Sequence, residues 1–144
     1  MPKKLYSTVP TGYPVCIHSQ CPKASECLHQ IAYELLRKDK TYMHLINPDL
    51  CTADDNCTYF RSNKPVRYAC GFTKFQQRMF PDQYDRFCKI LISHYRRTPF
   101  YERRRGETAL SPAEQELILQ TLKEVGVTEL MEFDHYEEAI NWND

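Results

Sequence analysis

Cysteine spacing is the feature of this sequence that most restricts how the chain can fold. Seven cysteines occur in 144 residues, and five of them fall within residues 16–57. Their order is Cys-x4-Cys-x5-Cys, then 23 residues, then Cys-x5-Cys. The odd number leaves at least one thiol unpaired, and no apolar segment of a secretory signal follows the first residues. We therefore expect a cytoplasmic protein with reduced thiols and no disulfide framework.

A metal site is the first interpretation of these five cysteines. Four thiolates suit a tetrahedral zinc ion, and an iron–sulfur cluster is the alternative cofactor. An equally weighted alternative is that the cysteines are small buried side chains and that no metal is bound. Cys70 and Cys88 lie outside this segment, and we predict them to be core residues. The predicted metal ligands are Cys16, Cys21, Cys27 and Cys57, with Cys51 as the first substitute.

Charge is distributed unevenly along the chain, although the net charge is zero. Residues 61–105 carry twelve Lys or Arg against three Asp or Glu, and residues 106–144 carry one against ten. Opposite charges attract, so we expect the two parts to pack together and neutralise each other. The other interpretation is a surface for nucleic acid or a protein partner. Its candidate residues are Arg96, Arg97, Tyr101, Arg103, Arg104 and Arg105.

Helical periodicity dominates the secondary-structure prediction. Apolar residues recur at helical spacing in three longer segments, and proline or serine stands at the start of two of them. Residues 96–106 are predicted to be a basic connection, and Asp134 with Glu137 predicts a short C-terminal helix. The predicted helices cover residues 25–38, 72–80, 81–98, 112–125 and 134–142, and a short β-hairpin is predicted from residues 58–60 and 66–68.

These elements predict a mostly α fold. We expect a single helical domain over residues 1–144, with an irregular cysteine-bearing region on its N-terminal side and one short β-hairpin. Within this domain, residues 1–60 form the cysteine-rich, metal-stabilised part. Residues 61–105 form the basic helical part and residues 106–144 the acidic helical part.

Several short motifs are familiar when taken together. They are Cys21-Pro22 to Cys27-Leu28, Asn47-Pro48, Asn56 to Arg61, Phe100 to Glu107, Leu110-Ser111-Pro112 with Gln115, and Phe133 to Glu137. Their order resembles a family of small bacterial proteins of unknown function from gut-dwelling anaerobes, over residues 16–142. The resemblance implies a bacterial cytosolic setting and supports grouping Cys21, Cys27 and Cys57. It implies no activity.

The sequence argues against several functional classes. The four glycines lie far apart, which excludes a Walker loop and a dinucleotide-binding fingerprint. No hydrolase or zinc-protease motif occurs, and no apolar run is long enough for a membrane helix. We therefore predict a non-enzymatic binding or regulatory protein without membrane association. It would be stabilised by cysteine-bound zinc and would contact nucleic acid or a protein partner; the alternative is an iron–sulfur redox or sensor protein.

Overall fold

The chain folds into two compact units in a computed structural model that describes residues 2–54 and 56–143. The helical unit comprises Met1–Leu5 and Val66–Ala139, and the cysteine unit comprises Tyr6–Pro65 and Ile140–Asp144. Over the residues described, no helix has the length and apolar character needed to cross a membrane. The elements in chain order are α1 (Leu28–Leu36), β1 (Pro65–Cys70), a 3₁₀ helix (Phe75–Arg78), α2 (Pro81–Tyr95), α3 (Arg97–Arg104), α4 (Pro112–Glu124) and β2 (His135–Ile140).

Phenylalanine rings form the centre of the helical unit. The Phe72 ring contacts those of Phe87 and Phe100 edge-on, with centroid distances of 6.0 and 5.8 Å. Edge-to-face contact suits the charge distribution of aromatic rings and adds to the gain from their burial. Phe87 and Leu91 are four residues apart, so one face of α2 carries both into this core.

Proline and serine begin the two longest helices, as their sequence predicts. Pro81 and Pro112 occupy the start of α2 and α4, where a missing backbone N–H costs nothing. The Ser111 hydroxyl accepts a hydrogen bond from the backbone N–H of Glu114 at 3.4 Å. The helix α2 ends at Arg96, whose φ of 72° and ψ of 168° lie outside the helical region.

The prediction that residues 96–106 form a connection is wrong in part, because most of these residues are helical. Arg97–Arg104 form α3, and Pro99 lies in its first turn. Proline is tolerated there because the first turn of a helix needs no backbone N–H donor. Phe100, which is fully buried, anchors α3 to the phenylalanine core.

The predicted mostly α fold is wrong, because the described chain is a mixed α/β fold with 35% helix and 13% strand. The largest difference is at residues 134–142, where Asp134 and Glu137 predict a helix. Residues His135–Ile140 instead form β2, which pairs with β1. The Asp134 carboxylate accepts hydrogen bonds from the backbone N–H and the hydroxyl of Thr73, at 3.1 and 2.8 Å. Pairing with a distant strand thus overrides a local helix signal.

The predicted hairpin is also wrong, because its second strand pairs with β2. Residues 66–68 do lie in a strand, β1, but its neighbour in the sheet is β2. Residues 58–60 form turns and irregular chain. The only two-stranded sheet among the described residues therefore joins segments that are far apart in sequence.

The cysteine unit contains little regular structure. Within its described residues α1 is the one helix, and Leu28 and Ala32 of that helix are fully buried. They pack with Tyr13, Val15 and Trp142 in a small core. Much of the remaining described chain is held by backbone hydrogen bonds within tight turns and by a few bridges between loops. A ligand or cross-link that joins these loops would therefore contribute much to the stability of this unit.

Candidate metal centre in the cysteine unit

Five cysteines of the cysteine unit line one small cavity. The cavity has a volume of about 20 Å³, which is room for one water molecule or one ion. All five thiols are reduced in the structure. The structure therefore brings the four predicted ligands and the substitute to a space of atomic size. The lining cysteines are Cys16, Cys21, Cys27, Cys51 and Cys57.

Cys51 has two other sulfur atoms beside it. Its Sγ lies 3.8 Å from Sγ of Cys16 and 3.6 Å from Sγ of Cys57. Two sulfur ligands of one tetrahedral zinc ion, with Zn–S bonds of about 2.3 Å, are about 3.8 Å apart. A disulfide requires about 2.05 Å. The two separations thus match those of neighbouring ligands of a single metal ion.

The sulfur atoms do not yet form a complete ligand set. In residues 2–54 and 56–143, no group of three or more His, Cys, Asp or Glu side chains is arranged to hold a metal ion as it stands. Cys21 and Cys27 line the cavity, but the sulfur–sulfur contacts are those made by Cys51. A tetrahedral site would therefore require the cysteine side chains around the cavity to rearrange, with Cys21 or Cys27 turning towards Cys51.

Tight turns bring the first three cysteines to the cavity. The backbone N–H of Cys16 donates to the carbonyl of His29 in α1 at 3.1 Å, which holds residue 16 beside the helix. The backbone N–H of Ala24 donates to the carbonyl of Cys21 at 2.9 Å, which closes a turn between the first and third cysteines. Cys27 precedes α1 as its N-cap residue. The helix therefore begins at Leu28, later than residue 25, where the sequence predicts its start.

A second pair of turns positions Cys51 and Cys57. The backbone N–H of Cys51 donates to the carbonyl of Asn47 at 3.2 Å, and that of Cys57 donates to the carbonyl of Asp54 at 3.3 Å. The carboxylate of Asp54 also accepts from the hydroxyl of Thr52 at 2.7 Å. Asparagine and aspartate favour such turns because their side chains accept hydrogen bonds from backbone N–H groups of the turn.

The two thiols of the second turn region differ in acidity. Burial raises the pKa of Cys51 to about 12, because a thiolate there loses its hydration. Burial also raises the pKa of Cys57, but hydrogen bonds from the backbone of Tyr59 and from the Cys51 thiol outweigh it and leave this pKa lowered. Cys57 is therefore the more readily ionised thiol of the pair. A bound cation would deprotonate both.

The sequence interpretation ranked Cys51 behind four other cysteines, whereas the structure places it among the closest sulfur atoms. The sequence does contain a pattern that indicates Cys51 as a ligand, because Cys51 and Cys57 repeat the Cys-x5-Cys spacing of Cys21 and Cys27. Asp54 also lines the cavity. Nothing in the local sequence distinguishes Asp54 from other loop residues.

The arginines predicted to contact nucleic acid or a partner lie in the helical unit, and three of them bind side chains of that unit. Arg103 pairs with Glu114 at 2.8 Å, and Arg105 pairs with Glu107 at 3.0 Å. The Nε of Arg104 donates to the hydroxyl of Tyr84 at 2.9 Å.

The remaining members of that group lie at the junction of α2 and α3. Arg96 and Arg97 are exposed, and the Arg97 guanidinium lies 5.9 Å from the centre of the Tyr101 ring. The exposed basic area is therefore smaller than the sequence suggests. Its role in binding nucleic acid or a partner stays a prediction.

Comparison with known proteins bears on the family and not on the activity. Searches of curated proteins and of solved structures gave no significant match. A family model matches residues 1–142, and its description is a family of unknown function. This confirms the coarser part of the expected resemblance. The chain belongs to the family of unknown function DUF6078.

Proposed function

We propose that the protein binds one zinc ion through thiolates of the cysteine unit and that this ion holds the unit in its fold. The observation that carries the proposal is the place of Cys51, with its Sγ 3.8 Å from that of Cys16 and 3.6 Å from that of Cys57. These three side chains would supply three ligands. Cys21 or Cys27, which line the same cavity, would supply the fourth.

The size of the cavity favours a single ion over an iron–sulfur cluster. A space of about 20 Å³ accepts one atom, whereas a cluster adds several iron and sulfide atoms between the thiolates. Thiolates are soft ligands, and tetrahedral sulfur coordination is typical of zinc. Zinc therefore fits the site better than the cluster.

A zinc ion with four thiolates has no open position for substrate, so its role would be structural. The cysteine unit needs such support, since α1 is the one helix among its described residues. Metal binding would then be coupled to the folding of the surrounding loops. We place this protein in a bacterial cytoplasm, where thiols stay reduced, as a binding or regulatory protein.

The test is metal analysis of the full chain purified without air. We expect one zinc per chain in the wild type and loss of most zinc in Cys51→Ser and Cys16→Ser. Cys88→Ser is the matched control, because Cys88 lies on α2 in the helical unit and should leave the zinc content unchanged. A wild-type protein without zinc would overturn the proposal, and so would full zinc content in Cys51→Ser. Iron with sulfide would support the cluster instead.

A further inference from the structure

The sulfur positions also favour a covalent reaction that needs no metal. The contacts of 3.6 Å from Cys51 to Cys57 and 3.8 Å to Cys16 are each within about 2 Å of disulfide bond length. We propose that Cys51 is the shared partner of two mutually exclusive disulfides, Cys51–Cys57 and Cys16–Cys51, formed when a peroxide oxidises the cysteine unit. This inference goes beyond the zinc proposal and does not depend on it.

Exposure decides which thiol reacts first. Cys16 and Cys51 are 7% and 8% exposed, whereas Cys57 is only partly buried. A peroxide that arrives from solvent therefore meets Cys57 before the other two. Oxidation of cysteine depends on access from solvent, so Cys57 is the site of the first step.

The reaction with hydrogen peroxide balances in two steps. The Cys57 sulfur attacks one peroxide oxygen, the O–O bond breaks, and the thiol proton leaves with the departing hydroxide as water. Cys57 is now a sulfenic acid. The Cys51 sulfur then attacks the Cys57 sulfur, the S–O bond breaks, and a second water leaves. The two thiols have lost two electrons and two protons, and one peroxide has become two waters.

The second disulfide follows from the first without more oxidant. The Cys16 sulfur attacks the Cys51 sulfur of the Cys51–Cys57 bond and releases Cys57 as a thiol. The cross-link thereby moves from a partly buried pair to a buried pair. Because Cys51 has a single sulfur atom, one disulfide excludes the other.

The experiment treats the full-length protein with hydrogen peroxide, alkylates free thiols, and maps disulfides by peptide mass spectrometry. In the wild type we expect Cys51 in nearly all cross-links, joined to Cys57 or Cys16. Cys57→Ser should form little of the Cys16–Cys51 link, because the thiol that starts the reaction is absent, and Cys16→Ser should retain only the Cys51–Cys57 link. Cys88→Ser should give the wild-type map, since Cys88 belongs to the helical unit.

The decisive variant is Cys51→Ser, which should form neither disulfide and should accumulate sulfenic acid at Cys57, trapped by dimedone. A Cys16–Cys57 link in this variant, or wild-type cross-links that bypass Cys51, would overturn the inference. If Cys51→Ser does not fold, the disulfide maps of Cys16→Ser and Cys57→Ser still test the inference. The zinc proposal has a different measure, the metal content before oxidation, so either proposal can fail without the other.

Discussion

The guanidinium of Arg103 lies 2.8 Å from the carboxylate of Glu114, and the two side chains are only 14% and 16% exposed. Arg103 also lies over the ring of Tyr95, 4.3 Å from its centre. Lys4 contacts the other oxygen of the same carboxylate. An acidic residue of the segment 106–144 thus neutralises an arginine that the sequence offers as a nucleic-acid contact.

Replacing this carboxylate should destabilise the protein. Glu114→Gln removes the negative charge that faces Arg103 and Lys4 in a largely buried place. We expect the free energy of unfolding to fall by about 3 kcal/mol. Urea unfolding followed by circular dichroism measures it. Glu116→Gln is the control, since Glu116 lies exposed on the same helix and should change stability by less than about 0.5 kcal/mol. Equal effects of the two substitutions would contradict this account.

A comparison of two glycines should separate backbone strain from a local clash. Gly71 and Gly126 both have positive φ, 83° and 93°, so alanine at either position costs about 1–2 kcal/mol. At Gly71 the added Cβ would also come within 2.6 Å of Oδ2 of Asp134, the oxygen that binds Thr73. At Gly126 the nearest atom is 3.5 Å away.

Gly71→Ala should therefore reduce the free energy of unfolding by about 1–2 kcal/mol more than Gly126→Ala, because Asp134 must give up its hydrogen bonds to Thr73. Chemical denaturation of both variants checks the difference. Asp134→Ala provides the second measure, since adding Gly71→Ala to it should cost only the strain. The explanation would be wrong if both alanine substitutions were equally harmful in the wild-type background.

Tyr95 should make the stability of the helical unit sensitive to alkali. Burial, and then the charge of Glu114, raise the pKa of Tyr95 to about 12, against the opposing effect of Arg103. Tyrosine in the unfolded chain ionises near pH 10. Because the folded-state pKa is higher, its contribution to stability is complete below about pH 10 and is lost as the pH rises towards about 12.

The measurement is the urea midpoint as a function of pH. Tyr95→Phe should lose less stability than the wild type above about pH 10, since it has no phenol to ionise. Tyr42→Phe serves as the control, because Tyr42 is 91% exposed, and its profile should follow that of the wild type. Parallel profiles for wild type and Tyr95→Phe would show that Tyr95 is not responsible.

Removal of zinc should be visible in the single tryptophan of the chain. Trp142 belongs to the cysteine unit, is 7% exposed, and packs edge-on against Tyr13 with a centroid distance of 5.0 Å. If zinc holds this unit, a chelator should expose Trp142 and shift its fluorescence maximum to longer wavelength. Added zinc should reverse the shift, and Cys88→Ser should respond like the wild type. Unchanged fluorescence in protein that has lost its zinc would show that the ion does not hold the fold.

The sequence by itself determined the features that depend on near neighbours. The starts of α2 and α4 follow from Pro81 and from Ser111-Pro112, because caps and first-turn prolines act within a few residues. The two Cys-x5-Cys spacings keep Cys21 near Cys27 and Cys51 near Cys57, since only five residues separate the members of each pair. Membership in a family of unknown function was likewise expected from short motifs.

Only the tertiary structure decided the features that need distant partners. Residues His135–Ile140 carry a local helix signal, yet they pair with Pro65–Cys70 as a strand. Asp134 binds Thr73 instead of capping a helix, and Glu114 neutralises Arg103. The central place of Cys51 between two other thiols is of the same kind. Each depends on contacts between residues that are separated along the chain, and local propensity is too weak to outweigh them.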